Sequence, residues 1–180
     1  MTRVHVHAAC WNDRRMLPFF VRHYAFAERI VVYDDGSVDG SIEYLAGCPR
    51  VEVRRVERTG AATLDRLHRV QDQCWKSSRG EADWVLVVDV DEHVYHERVL
   101  EYLDWCRRSG ITIVPAVGYQ MVADSFPGEE ERLWETVRRG VLFDEEHKPA
   151  FFDPGAIDEV NFIPGRHRAT PTGRVRYPPV

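Results

Sequence analysis

The densest group of chemically capable side chains is Asp89-Val90-Asp91-Glu92-His93, which follows directly on the apolar run Trp84-Val85-Leu86-Val87-Val88. A strand apolar on both faces belongs in the middle of a covered parallel sheet. Residues two apart share a face of a strand, so Asp89 and Asp91 aim at one point beyond its carboxyl end, where ligands of open α/β sheets bind. Carboxylates gathered there repel one another unless a cation lies between them. Mg²⁺ or Mn²⁺ takes one or two carboxylates together with phosphate oxygens. The same residues also suit a plain solvated acidic turn. A second cluster, Asp34-Asp35-Gly36-Ser37-Val38-Asp39-Gly40-Ser41, ends the run Ile30–Tyr33. Its glycines allow tight turns, and a strand-end carboxylate accepts hydrogen bonds from a base or ribose. An ordinary Asp/Gly turn is the alternative. Parallel topology would place both clusters on one rim.

The elements that must position these residues alternate. Val4–Ala9 reads as a strand, and Asn12-Asp13 precedes a helix that starts near Leu17, with Pro18 in its first turn. Ile30–Tyr33 is the second strand and Ser41–Leu45 a short helix. Val51–Val56 is a third strand. Leu64, Leu67, Val70, Cys74 and Trp75 mark one face of a helix ending near Gly80. After the Trp84–Val88 strand the pattern predicts a helix over Glu97–Ser109 and a strand over Ile111–Val117. Beyond Asp124 it predicts a helix over Glu129–Arg139, short strands at Val141–Phe143, Ala150–Phe152 and Val160–Ile163, and a basic tail over Arg166–Val180. Strand and helix in alternation imply an α/β fold with a mostly parallel central sheet, flanking helices and a small mixed C-terminal part.

At 180 residues, with 44% hydrophobic residues, the sequence fits a single domain over 1–180. Its formal charge of −5 gives no overall positive field for nucleic acid or an anionic membrane. No stretch reaches the roughly 20 apolar residues of a membrane span, and Met1 leads straight into Val4-His5-Val6, so a cytoplasmic location is expected. Cys10, Cys48, Cys74 and Cys106 stand singly and read as free thiols. His5 and His7 alternate on the first strand without a ligand framework and read as packing groups. The five tryptophans, Trp11, Trp75, Trp84, Trp105 and Trp134, read as core rather than sugar platform, with Trp11 and Trp134 near the expected rim.

Three blocks in order resemble the family-2 glycosyltransferases and their GT-A fold. These are Cys10-Trp11-Asn12-Asp13 after the first strand, Val31 to Ser41 around Asp34-Asp35-Gly36-Ser37, and Asp83 to Glu92 at the so-called DxD site. The likeness covers roughly residues 3 to 95. It implies a metal-dependent, hexosyltransferase-like enzyme that moves a sugar from a nucleotide-diphospho-sugar donor to a small-molecule or glycan hydroxyl. Residues 1–95 would bind the donor and 96–180 would face the acceptor. Asn12, Asp34, Asp35 and Asp89 would contact the nucleotide, while Asp89, Asp91 and His167, in Gly165-Arg166-His167-Arg168, would hold Mn²⁺ or Mg²⁺. Glu129-Glu130-x-x-Leu133 resembles the acid pair of inverting members, which makes Glu130 the expected base, with Asp124 as second choice. For each of these the plainer reading stays open: an acidic first helical turn for Glu130 and a solvated tail histidine for His167. Lys148, Arg166 and Arg168 are available to neutralise a departing diphosphate.

Two other functions fit the same pattern. A sugar-phosphate nucleotidyltransferase uses a similar sheet and Mg²⁺, but Ala8-Ala9-Cys10-Trp11 lacks the glycine-rich phosphate loop expected of one. A noncatalytic nucleotide- or partner-binding member is the other. The chain ends at Tyr177-Pro178-Pro179-Val180, short for the family, so a homo-oligomer that completes the acceptor side is also open.

Overall fold

A computed structural model describes residues 2–57, 62–144, 147–163, 166 and 168–179. Six strands form one sheet in the order β3-β2-β1-β4-β8-β5. The strands are β1 (Val4–Cys10), β2 (Arg29–Asp34), β3 (Val51–Arg55), β4 (Trp84–Asp89), β5 (Ile113–Ala116) and β8 (Lys148–Phe152). β1 pairs in parallel with β2 and β4, and β2 with β3. β8 lies antiparallel between β4 and β5. The expected mostly parallel α/β sheet is therefore the observed one.

Alternation along the central strands sorts two cores. Val4, Val6, Ala8, Leu86 and Val88 face Leu17, Phe20 and Tyr24 of α1 and its C-cap, Leu45 of α2, and Leu103 and Cys106 of α4. These helices span Leu17–His23, Ser41–Ala46 and Val99–Arg108. Val85 and Val87 face the other way, toward Trp75, Phe152, Ile157 and Phe162. Helix α3 (Thr63–Gln73), continued by a 3-10 turn over Cys74–Ser78, covers that second side.

His5 and His7 also point to the second side. Ser78 Oγ lies 2.9 Å from His5 Nδ1 and 2.8 Å from His7 Nε2, and Tyr33 Oη lies 3.3 Å from His7 Nδ1. One hydroxyl between two rings balances donors and acceptors when both imidazoles are neutral. Burial first, then the neighbouring His5, Arg54 and Arg29, lowers His7 to about 3. An unfolded histidine titrates near 6.5, so as pH falls the unfolded chain takes up a proton that the folded chain refuses. Stability is thus complete above about pH 6.5 and is lost on acidification toward pH 3, by up to about 1.4 kcal/mol per pH unit for this one group. Denaturant unfolding from pH 6 to 4 should show a shallower decline for His7→Gln than for the parent. Equal slopes would remove His7 from this role.

The C-terminal third departs from the periodic pattern. The expected helix over Glu129–Arg139 is reduced to α5, Leu133–Thr136, whose residues are not fully buried. With no core to face, an amphipathic stretch gains too little from packing to propagate a helix. A hairpin of β6 (Tyr119–Val122) and β7 (Arg139–Leu142) forms a separate two-stranded sheet. Val160–Ile163 forms no strand, only an isolated bridge between Phe162 and Ala169. Among the described residues no helix is long and apolar enough to cross a membrane.

Candidate functional site

The parallel register sets the rim of the site. Cys10 is level with Asp34 on β2, and Ala9 is level with Asp89 on β4, so three strands end together. Asp34 is buried, and its carboxylate accepts the Gly36 and Ser37 N–H groups at 2.9 and 3.0 Å. That closes the turn in which Gly36 adopts φ 86°, a left-handed conformation suited to glycine. Asn12, at φ 60°, accepts the Val38 N–H at 2.8 Å and donates its own N–H to Ser37 Oγ at 2.9 Å. The loops after β1 and β2 are thereby clipped together.

Asp35, 1% exposed, is gripped by the Arg66 guanidinium, with Nε and Nη2 at 2.9 and 2.6 Å from its two oxygens. At the end of β4, Asp89 accepts Gln71 Nε2 on one oxygen at 2.5 Å and Arg166 Nη2 on the other at 2.7 Å. Arg166 also donates to Glu92 at 2.5 Å and to the Val87 carbonyl at 2.6 Å, while Lys148 pairs with the second Glu92 oxygen. Burial alone would raise Glu92, but Arg166 and Lys148 outweigh it and hold its carboxyl below the ordinary value.

Asp91 is different. It keeps an exposed face, yet desolvation by the surrounding rim, followed by the like charges of Asp89 and Glu92, raises its carboxyl. Desolvation raises Asp13 as well, with Asp89 adding to the effect. The loop that carries Asp91 is anchored beneath. The Tyr24 hydroxyl donates to the Glu92 carbonyl and accepts the Val94 N–H, both at 2.9 Å. His93 packs on the His23 ring at 4.7 Å, and burial, then His23, lowers it to about 3. His96 instead stacks on Tyr102, so these two histidines diverge.

A cavity of about 460 Å³ adjoins the rim, lined by Asn12, Arg14, Asp39, Phe19, Phe126 and Glu129 among others. The segment over it is tied to α1 by Arg22, which donates to the carbonyls of Glu129 and Glu131, and by a Phe19–Phe126 edge contact.

No family model matches the sequence, and no curated protein matches it. Solved structures do. Residues 1–349 of S. aureus TarS superpose with a TM-score of 0.52 at 13% identity, over 86% of this chain and 48% of that one. The fold is GT-A. Lesser likenesses are M. tuberculosis glucosyl-3-phosphoglycerate synthase, with a TM-score of 0.43, 16% identity, and 63% and 44% of the two chains covered. The 4-diphosphocytidyl-2C-methyl-D-erythritol synthase of Anaerococcus prevotii gives 0.46 at 11% identity, with 85% and 72% covered. The chain spans about half the length of the first two of these structures.

Within this GT-A fold the residues anticipated for nucleotide, metal and catalytic base fall into three groups. Asn12, Asp34, Asp35, Asp89 and Asp91 lie on the rim. Glu130 is exposed in the turn before α5, and Asp124 is exposed at the end of the hairpin and paired with Arg139 at 2.5 Å. His167 lies outside the described residues. Among those described, no three His, Cys, Asp or Glu side chains form a ready-made metal cage. Trp75 and Trp84 are core, but Trp11 and Trp105 are 52% and 44% exposed, Trp11 directly at the rim.

Sequence reading passed over Arg66 and Gln71. The signal for Gln71 was present: it lies four residues after Leu67 and four before Trp75, on the core-facing stripe of its helix, and is buried. A polar side chain at such a place needs a partner, and Asp89 is that partner.

Proposed function

We propose that this chain is a metal-dependent glycosyltransferase that moves a sugar from a nucleotide-diphospho-sugar to an acceptor hydroxyl with inversion. The reading rests on one observation above all, the placing of Asp35, Asp89 and Asp91 at or just past the carboxyl ends of β2 and β4, the two parallel strands that flank β1, where ligands of open α/β sheets bind. Asp91 offers an exposed carboxylate at the rim, raised first by desolvation and then by the like charges of Asp89 and Glu92, and such an oxygen donor suits a hard cation such as Mn²⁺ or Mg²⁺. Asp91 would hold it with Asp89 beside it, and His167 is the expected third ligand. Such a cation, when bound, supplies charge neutralisation for the departing diphosphate.

The remaining work falls to the chain. Asp35, fixed by Arg66, and the clipped loops bearing Asn12 and Asp34 form the nucleoside-facing wall, and residues 1–95 make up the donor half. The cavity beside α1, whose far wall carries Glu129, receives the acceptor from the side formed by residues 96–180. Glu130, in the same turn, takes the proton of the attacking hydroxyl.

The test is calorimetric titration of uridine diphosphate, and of other nucleoside diphosphates in turn, into the protein in Mn²⁺ and in EDTA. Binding is expected only with the cation, because Asp34, Asp35, Asp89, Asp91 and Glu92 outnumber the Arg66, Arg166 and Lys148 charges that meet them and leave the rim net negative toward a bare diphosphate. Equal affinity in both buffers would exclude the metal-bridged reading.

A further inference from the structure

The acidic rim already contains cations of its own. Arg166, 1% exposed and held at φ 57°, spans Asp89 and Glu92 with a single amino group while its other amino group is fixed by the Val87 carbonyl. Lys148, near the start of β8, pairs with the remaining Glu92 oxygen, and only 11% of its side chain is exposed. The two cations come from separate segments, and both reach the same strand end. Basic groups whose role is to meet an incoming diphosphate would stand open to solvent, whereas these are buried and committed to carboxylates. Asp89 is further occupied by Gln71, and Glu92 Oε2 also accepts the Asp89 N–H at 3.1 Å.

We propose that Arg166 and Lys148 serve as an internal counter-cation that holds off a bare divalent ion, so that cation and diphosphate are taken up as a pair. This rests on the function proposed above. An ion arriving alone meets one exposed carboxylate of the motif, Asp91, and must compete with a guanidinium and an amide for Asp89. The acidic rim still attracts it, but two fixed positive charges in a poorly screened setting offset part of that attraction. A diphosphate that brings its own oxygens completes the coordination shell and offsets those charges together. The coupling is reciprocal: whatever factor the diphosphate contributes to cation affinity, the cation returns to diphosphate affinity. Removing one internal cation should therefore tighten bare-ion binding and shrink the coupling.

The experiment counts free Mn²⁺ by its electron paramagnetic resonance signal during titration into the full chain. It compares the parent with Lys148→Gln and Lys148→Arg, each first checked for an unchanged unfolding midpoint. Lys148→Gln is expected to bind Mn²⁺ alone roughly tenfold more tightly or better, and Lys148→Arg, which keeps the charge, to behave as the parent. Equal bare-ion affinity in the parent and Lys148→Gln would overturn the proposal. So would tightening in Lys148→Arg as large as in Lys148→Gln, since charge would then not be the cause. A second arm repeats the titration with uridine diphosphate present. There the factor by which the nucleotide tightens Mn²⁺ should be smaller in Lys148→Gln, and an unchanged factor would overturn the pairing. Failure of every nucleoside diphosphate to tighten Mn²⁺ in the parent, with the bare-ion order as expected, would instead sink the glycosyltransferase reading.

Discussion

Asp91→Asn is expected to abolish cation-dependent nucleotide binding while leaving the unfolding midpoint close to that of the parent. The substitution keeps the shape of the side chain and removes its charge. Among the described residues no ion pair uses that charge: Asp91 has an exposed face, and desolvation, then Asp89 and Glu92, raise its carboxyl, so neutralising it relieves repulsion. The loop around it is held independently by the Tyr24 hydroxyl. A cation, by contrast, loses the motif carboxylate that has no cationic partner among the described residues. Unit charges 4 Å apart near a protein surface interact by about 4 kcal/mol, and a divalent ion doubles the stake, so after screening a loss of roughly 100-fold or more in nucleotide affinity is expected. Asp39→Asn is the comparison. Asp39 latches its loop by accepting the Arg14 N–H on one oxygen at 2.9 Å and the Ser41 hydroxyl on the other at 2.6 Å; asparagine keeps one of these acceptors and loses the other, a local cost to the loop that removes no metal ligand. Titration of a nucleoside diphosphate in Mn²⁺ reads both variants, and equal affinities would show that Asp91 is not a metal ligand.

What the sequence made legible was what periodicity and strand ends encode. The doubly apolar run Trp84–Val88 could only be a covered strand, and a covered parallel strand fixes where its terminal carboxylates must lie. The rim of Asp34, Asp35, Asp89 and Asp91 followed from local pattern alone. The partners of those carboxylates did not. Arg66 and Gln71 project from a helix, Lys148 from an antiparallel strand and Arg166 from an irregular loop, at sequence separations of 31, 18, 56 and 77 residues from the acids they meet. No local rule encodes such pairings. The sequence offered Lys148 and Arg166 as groups for a departing diphosphate, and their burial against Glu92 and Asp89 is what gives them a different part. The C-terminal third misled for a related reason. Glu129–Arg139 carries helical spacing, but helices of this length are held by tertiary packing more than by propensity. Leu133 and Trp134 find only half-buried places beside α1, so one turn forms, Arg139 joins β7 and the residues around them stay irregular.

Glu130→Gln is expected to retain donor binding and lose roughly 100-fold or more in turnover, within the range of general-base catalysis. The shortened helix changes the physical basis of this expectation. A base within a long helix would be positioned by that helix, whereas Glu130 sits in a turn whose two neighbours are fixed. Arg22 holds the carbonyls of Glu129 and Glu131, and the Glu131 carboxylate accepts the Gly128 N–H at 2.5 Å. Clamped on both sides, the turn has little freedom to move the carboxylate between them, which is what a base needs in order to meet a hydroxyl within hydrogen-bond reach. The Glu130 side chain is exposed, so an acceptor must supply the enclosure, and the cavity walled by Phe19, Phe126 and Glu129 is where it would lie. Asp124, the other acid considered for this task, is already paired with Arg139. Glu131→Gln keeps an acceptor for Gly128 and should turn over near the parent rate. The decisive measurements are single-turnover rates with a competent acceptor and the anomeric configuration of the product. Parent-like turnover by Glu130→Gln, or a product that retains the donor's configuration, would remove Glu130 as the base.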